Sequence, residues 1–129
     1  MENNKYHILI VEDDKEIRDG VEIYLKNQGY QVWKAANGKE GLEIVAQEEI
    51  HLAILDIMMP KIDGYTATRV IRSTNRQDAK AIPIIAMTAN AFKEDEEKCL
   101  EAGMNAHLIK PLDIEKVKQT IEGQVRVHQ

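Results

Sequence analysis

The acids Glu12-Asp13-Asp14, the acid Asp56, the hydroxyl of Thr88 and the ammonium of Lys110 each stand at the end of a short apolar run. Ile8-Leu9-Ile10-Val11 leads into the acidic triplet, and Leu52-Ala53-Ile54-Leu55 leads into Asp56. Ile84-Ile85-Ala86-Met87 leads into Thr88, and His107-Leu108-Ile109 leads into Lys110-Pro111. Carboxylates brought together repel one another unless a hard divalent cation sits among them, and Mg²⁺ favours such oxygen ligands. Each feature also has a plainer reading. The acidic triplet, Asp56 and Thr88 are all residues that cap helix N-termini, and Lys110 could be an ordinary solvated lysine. Capping does not account for complementary groups at the ends of all these runs.

The elements that must position these groups alternate regularly. Short β-branched runs at Tyr6–Val11, Gln31–Lys34, His51–Leu55, Pro83–Met87 and Ala106–Ile109 read as strands, and the nearly continuous apolar ones as strands covered on both faces. Between them lie segments of helical period. The first carries Ile17, Val21, Tyr24, Leu25 and Gln28 on one face, with Gly29 as its stop. The second carries Leu42, Val45 and Ala46 after the turn Asn37-Gly38, and the third carries Ala67, Val70 and Ile71 after Gly64. The fourth spans Ala91–Ala102 and stops at Gly103; the last opens on Asp113 as N-cap and repeats Ile114, Val117 and Ile121. Strands alternating with helices predict a three-layer α/β fold with a parallel sheet. In such a sheet the strands' C-terminal ends share one edge, and ligands bind in the crevice outside it. The segment from Ser73 to Ala81 reads as a mobile polar loop, and Gly123–Gln129 as a fraying end.

At 129 residues the chain is the size of one domain, so the expectation is a single domain over residues 1–129. A hydrophobic fraction of 43% excludes a disordered chain. No apolar run approaches the ~20 residues of a bilayer span, and the N-terminus lacks the order of a signal peptide. Cys99 is the only cysteine, so no internal disulfide forms, and a cytoplasmic location is expected. A net charge of −5 argues against direct nucleic-acid binding. The loose basic group Arg69, Arg72, Arg76 and Lys80 reads as a solvated face. The histidines His7, His51, His107 and His128 lack metal-site spacing and read as structural or surface residues.

The motifs taken together resemble the receiver domain of two-component response regulators over Tyr6 to Glu122. They are Ile-Leu-Ile-Val-Glu12-Asp13-Asp14, Leu55-Asp56-Ile57-Met58-Met59-Pro60 with Asp63-Gly64, Met87-Thr88-Ala89, and Lys110-Pro111. The resemblance implies a flavodoxin-like (βα)5 sandwich with strand order 2-1-3-4-5, the order given for a receiver of this family. It implies that Asp56 is the nucleophile that accepts a phosphoryl group from a sensor histidine kinase or phosphotransfer domain. Asp13, Glu12 through water, Asp56 and the backbone carbonyl of Met58 would hold Mg²⁺. Lys110 and Thr88 would contact phosphoryl oxygens, and the Lys110–Pro111 bond would be cis. The domain would be a phosphoacceptor switch catalysing only its own phosphorylation and dephosphorylation.

The same resemblance makes Thr88 the residue that moves toward the phosphoryl group and so resets the last helices and strand. An aromatic residue three positions before the lysine then swings inward in the family, and here that position is His107. His107 either rotates inward or stays outside as a partner contact. Positions two after the nucleophile and two after the threonine tune phosphoryl lifetime; here they are Met58 and Asn90, and the apolar Met58 predicts slow loss. The half through Asp56 resembles receivers of transcription-factor regulators, and Ile84–Phe92 with Ala102–Asn105 resembles those of hybrid sensor kinases. Output and phosphorylation-dependent homodimerisation therefore stay open. A phosphohydrolase working through an aspartyl phosphate would carry a second acid at Met58. A receiver serving only as a binding module would have lost the acids or the lysine.

Overall fold

The β-branched runs pair into one sheet, as their continuous apolar character requires. The computed structural model describes residues 6–59, 61–89 and 93–127. In it β1 (His7–Val11), β2 (Gln31–Ala35), β3 (Leu52–Asp56), β4 (Ile84–Thr88) and β5 (Ala106–Ile109) form a parallel sheet of order β2-β1-β3-β4-β5. The helices are α1 (Lys15–Asn27), α2 (Gly38–Gln47), α3 (Gly64–Arg72), α4 (Gln77–Lys80), α5 (Lys93–Ala102) and α6 (Ile114–Val127). No helix among the described residues is long and apolar enough to cross a membrane.

Alternation along each strand divides the interior into two cores. Ile8, Ile10, Leu52, Ile54, Ile85 and Met87 pack under α1 and α6 with Val21, Leu25, Val117 and Ile121. Leu9, Val11, Ala53, Leu55, Ile84 and Ala86 pack on the opposite side under α2, α3 and α5, with Val45, Ala67, Ile71 and Cys99. β3 and β4 are buried along their whole length, so the sheet's centre is fixed by apolar contact from both faces.

Helix starts follow local chemistry. Asp14, Asn37, Asp63 and Asp113 each accept hydrogen bonds from backbone N–H groups in the turn that follows. Gly29 and Gly103 stand just past α1 and α5 with φ of 92° and 103°, as expected of helix stops.

Several expectations are corrected. β3 and β4 each run one residue further than the apolar runs suggested, so Asp56 and Thr88 end the strands themselves. The segment read as a mobile loop contains α4 and is pinned by arginine. The Arg76 guanidinium donates to the carbonyls of Val45 and Ala46 at 2.6 and 2.9 Å. Arg72 also folds back onto the chain rather than standing free on a solvated face. Half-buried, it donates to the carbonyls of Gly103, Lys80 and Ile82 and to Asn105 Oδ1. α6 continues to Val127 because Val125 packs on the α1/α6 core; residues 128–129 lie outside the described residues. Val70 and Ile114, expected on buried faces, are exposed. The start of the fourth expected helix, Ala91 and Phe92, also lies outside the described residues, and α5 is described from Lys93.

Candidate functional site

Parallel pairing puts the ends of β1, β3, β4 and β5 side by side, with Val11 beside Leu55, Asp56 beside Met87 and Thr88 beside Ile109. The groups singled out in the sequence meet there. Oxygen atoms of Glu12, Asp13 and Asp56 all lie within 4.8 Å of one another. The Lys110 ammonium reaches in from the end of β5, 2.7 Å from Glu12 Oε1 and 3.1 Å from Asp56 Oδ2. Its backbone N–H donates to the Thr88 carbonyl at 2.8 Å. Thr88 is buried at the adjacent strand end, and the Lys110–Pro111 bond is cis.

Each acid is held in a different way. Glu12 has no exposed surface. Its Oε2 accepts the Asp14 N–H at 3.1 Å, and its Oε1, 2.7 Å from the Lys110 ammonium, has no well-angled donor among the described residues. Asp56 is buried; its Oδ1 accepts the Met58 N–H at 3.2 Å and its Oδ2 takes the ammonium. Asp13 is exposed and forms the solvent side of the cluster. Asp14 turns the other way and caps α1, so capping explains one acid of the triplet. Asp56 is likewise no cap, since Asp63 caps α3.

Three carboxylates facing one ammonium make protonation of one acid favourable. Burial, reinforced by hydrogen bonding to Asp56, pushes Glu12 up to about 7 against the opposing pull of Lys110. The hydrogen bond from Glu12 in turn holds Asp13 below its ordinary value. Burial pulls Lys110 down, but Glu12 and Asp56 outweigh it and the ammonium is held more tightly than usual. A buried acceptor without a good donor, an adjacent buried carboxylate and an exposed third one form an all-oxygen donor set that fits a hard divalent cation.

Two positioning residues escaped the sequence reading. Arg18 Nη1 donates to the Glu12 carbonyl at 2.8 Å and fixes the turn that carries Glu12 and Asp13; nothing in the spacing marks it. Gly64 lies directly behind Asp56, where a Cβ would come within 2.5 Å of the Asp56 carbonyl oxygen. The Asp63-Gly64 pair was visible as a motif, but its packing role was not. His107 points outward from β5, its Nε2 3.1 Å from Glu96 Oε1 on α5. Met58 is exposed at the rim. Asn90 lies outside the described residues.

The chain matches the family model for the response regulator receiver domain over residues 8–122. It is 40% identical over 119 residues to the regulatory protein VanR of Enterococcus faecium, covering 92% of this chain and 49% of that protein. It is 35% identical over 120 residues to the sensor histidine kinase RcsC of Escherichia coli K12, covering 93% of this chain and 12% of that protein. Among solved structures, the receiver domain of the sensor histidine kinase PA1611 from Pseudomonas aeruginosa, with a magnesium ion coordinated in its active-site cleft, superposes with a TM-score of 0.84 at 34% identity. That match covers 93% of this chain and 97% of the PA1611 domain. The chain thus spans an eighth to a half of the full-length relatives named here. With the acidic pocket, the paired lysine and the 2-1-3-4-5 sheet all in place, it belongs to the response regulator receiver domain family.

Proposed function

We propose that Asp56 is the phosphoacceptor of this receiver, taking a phosphoryl group from a sensor histidine kinase or phosphotransfer protein in a Mg²⁺-dependent reaction. One observation carries the reading: a buried strand-end carboxylate held by the Met58 N–H and the Lys110 ammonium, beside two further acids. An Asp56 carboxylate oxygen attacks phosphorus, the P–N bond of the donor phosphohistidine breaks, and the imidazole leaves with the electron pair. Glu12 (through water), Asp13, Asp56 and the Met58 carbonyl would hold Mg²⁺, which supplies charge neutralisation between the acids and the incoming group. The ion in the PA1611 cleft supports this assignment.

Lys110 is poised to exchange its pairing with Asp56 for one with a phosphoryl oxygen, and the Thr88 hydroxyl hydrogen-bonds another. Both contacts strengthen as charge builds on the transferring group. The domain promotes its own phosphorylation and its own hydrolysis and turns over no external substrate. Met58 and Asn90 set the hydrolysis rate, and the thioether of Met58 favours a long-lived phosphoryl group. Movement of Thr88 toward the phosphoryl group resets the face made by α5, β5 and α6, with His107 leaving Glu96 as part of that change.

Residues 1–129 form a single receiver domain working in the cytoplasm. With a net charge of −5, it acts on partner proteins and does not grip nucleic acid.

Incubation with Mg²⁺ and acetyl phosphate, read by intact mass, tests the assignment. A gain of one phosphoryl group is expected, lost in Asp56→Asn and in EDTA. Retention of the gain in Asp56→Asn would reject Asp56 as the acceptor.

A further inference from the structure

The sulfur atoms of the described residues are protected with one exception. Met87 and Met104 are 0% and 3% exposed, and Met59 packs against the core. Cys99 is buried between α3 and α5, and desolvation pushes its thiol up, away from the reactive thiolate. Met58 is 78% exposed, more than any other large apolar residue described. Its backbone is tied to the site as well, its own N–H donating to Asp56 Oδ1 at 3.2 Å.

We propose that Met58 is a selective oxidation site, converted to its sulfoxide by a hydroperoxide, and that the sulfoxide shortens the life of the phosphoryl group on Asp56. The second half rests on Asp56 being the acceptor. The thioether sulfur attacks the terminal peroxide oxygen, an S–O bond forms and the O–O bond breaks. Sulfur is oxidised by two electrons, and the peroxide leaves as water or an alcohol after taking up a proton. The change replaces an apolar group with a strong, chiral acceptor. A thioether orders water poorly. A sulfoxide oxygen at the same rim accepts a hydrogen bond from water and can hold it beside the phosphoryl group for attack. The receiver would then forget its signal sooner under peroxide, with its buried thiol uninvolved.

The experiment treats the intact chain with limiting hydrogen peroxide and locates oxidation by fragment-ion mass spectrometry, which separates Met58 from Met59, Met1 and the rest. Oxidised and untreated samples are then phosphorylated with acetyl phosphate, exchanged into donor-free buffer and followed by intact mass. Met58 is expected to oxidise first, and the oxidised form to lose phosphate at least about threefold faster, a change within reach of one ordered water. Met58→Leu, compared with itself before and after peroxide, should show no acceleration. Met58→Gln, which carries a permanent acceptor, should lose phosphate faster than Met58→Leu without peroxide. Oxidation spread evenly over the methionines, or equal decay of the two forms, would overturn the inference while leaving Asp56 as acceptor. A phosphoryl gain that persists in Asp56→Asn would instead overturn the acceptor assignment, and the lifetime effect with it.

Discussion

The two edges of the sheet both gather polar and titratable side chains, but only one of them closes its hydrogen bonds. At the N-terminal edge the His7 N–H donates to His51 Nδ1 at 2.9 Å, and His7 Nδ1 donates to the Glu49 carbonyl at 2.7 Å. His51 Nε2 lies 3.1 Å from Glu49 Oε1, and the Tyr6 hydroxyl donates to the His51 carbonyl at 3.3 Å. The rings of Tyr6 and His51 stack with centroids 5.1 Å apart, and burial pushes the Tyr6 phenol up to about 12. Tyr6, His7, His51 and Glu49 each have an answering partner there. At the C-terminal edge Glu12 and Asp56 share one ammonium with Asp13 clustered beside them, and among the described residues Glu12 Oε1 lacks a good donor. A closed network adds stability and has little left to offer a ligand. An open one holds acceptors that a cation and a phosphoryl group can use.

The strongest way to break this contrast is to remove the ammonium that pairs with Glu12 and Asp56 at the open edge. Lys110→Ala should slow phosphorylation by acetyl phosphate about 100-fold or more, the usual effect of deleting one preorganised electrostatic partner. Following the rate of mass gain at fixed Mg²⁺ checks it. A rate within threefold of the parent would mean that the ammonium merely neutralises the resting site.

The pH dependence of stability sharpens the contrast at smaller scale. Glu12 titrates near 7 in the folded chain against an ordinary 4.5. Between those values the folded state binds more protons than the unfolded one, so stability falls as pH rises. This contribution is complete below about 4.5 and lost above about 7. Asp13, depressed below 3.8, works in the opposite sense but only at lower pH. Urea unfolding without metal should therefore show a loss of roughly 1–3 kcal/mol between pH 5 and 8. Mg²⁺ should offset that loss at pH 8, and Glu12→Gln should flatten the profile. A level profile in the parent chain would show that the acids carry no stored repulsion.

What could be read in advance follows the same division. The strand-end chemistry was legible because a parallel sheet brings C-terminal ends together whatever the details of packing. The central strands were legible because both faces are apolar. Groups whose role depends on where a long side chain folds back were not. Arg72 and Arg76 look like surface charge in the sequence, yet their stems carry the guanidinium groups to the carbonyls of Ile82 and Val45, 10 and 31 residues away. The four residues of α4 carry too little periodicity to be seen. Gly64 is legible as a motif, but the closeness of the Asp56 carbonyl behind it is a property of packing alone.

The closed edge yields the smallest effect and the test of independence. His51 Nδ1 accepts the first N–H of β1, so in the neutral ring Nε2 carries the proton and donates to Glu49. His51→Phe keeps the ring that stacks on Tyr6 but leaves the His7 N–H without its acceptor, which should cost about 1 kcal/mol in urea unfolding. His51→Asn loses the stacking, yet its amide oxygen can take the place of Nδ1 and recover part of that cost. Because the site chemistry lies at the far ends of the strands, both variants should phosphorylate at the parent rate while folded. If His51→Phe slowed phosphorylation more than threefold, the edges would be coupled through β1 and β3, and the closed network would be tuning the open one as well as adding stability.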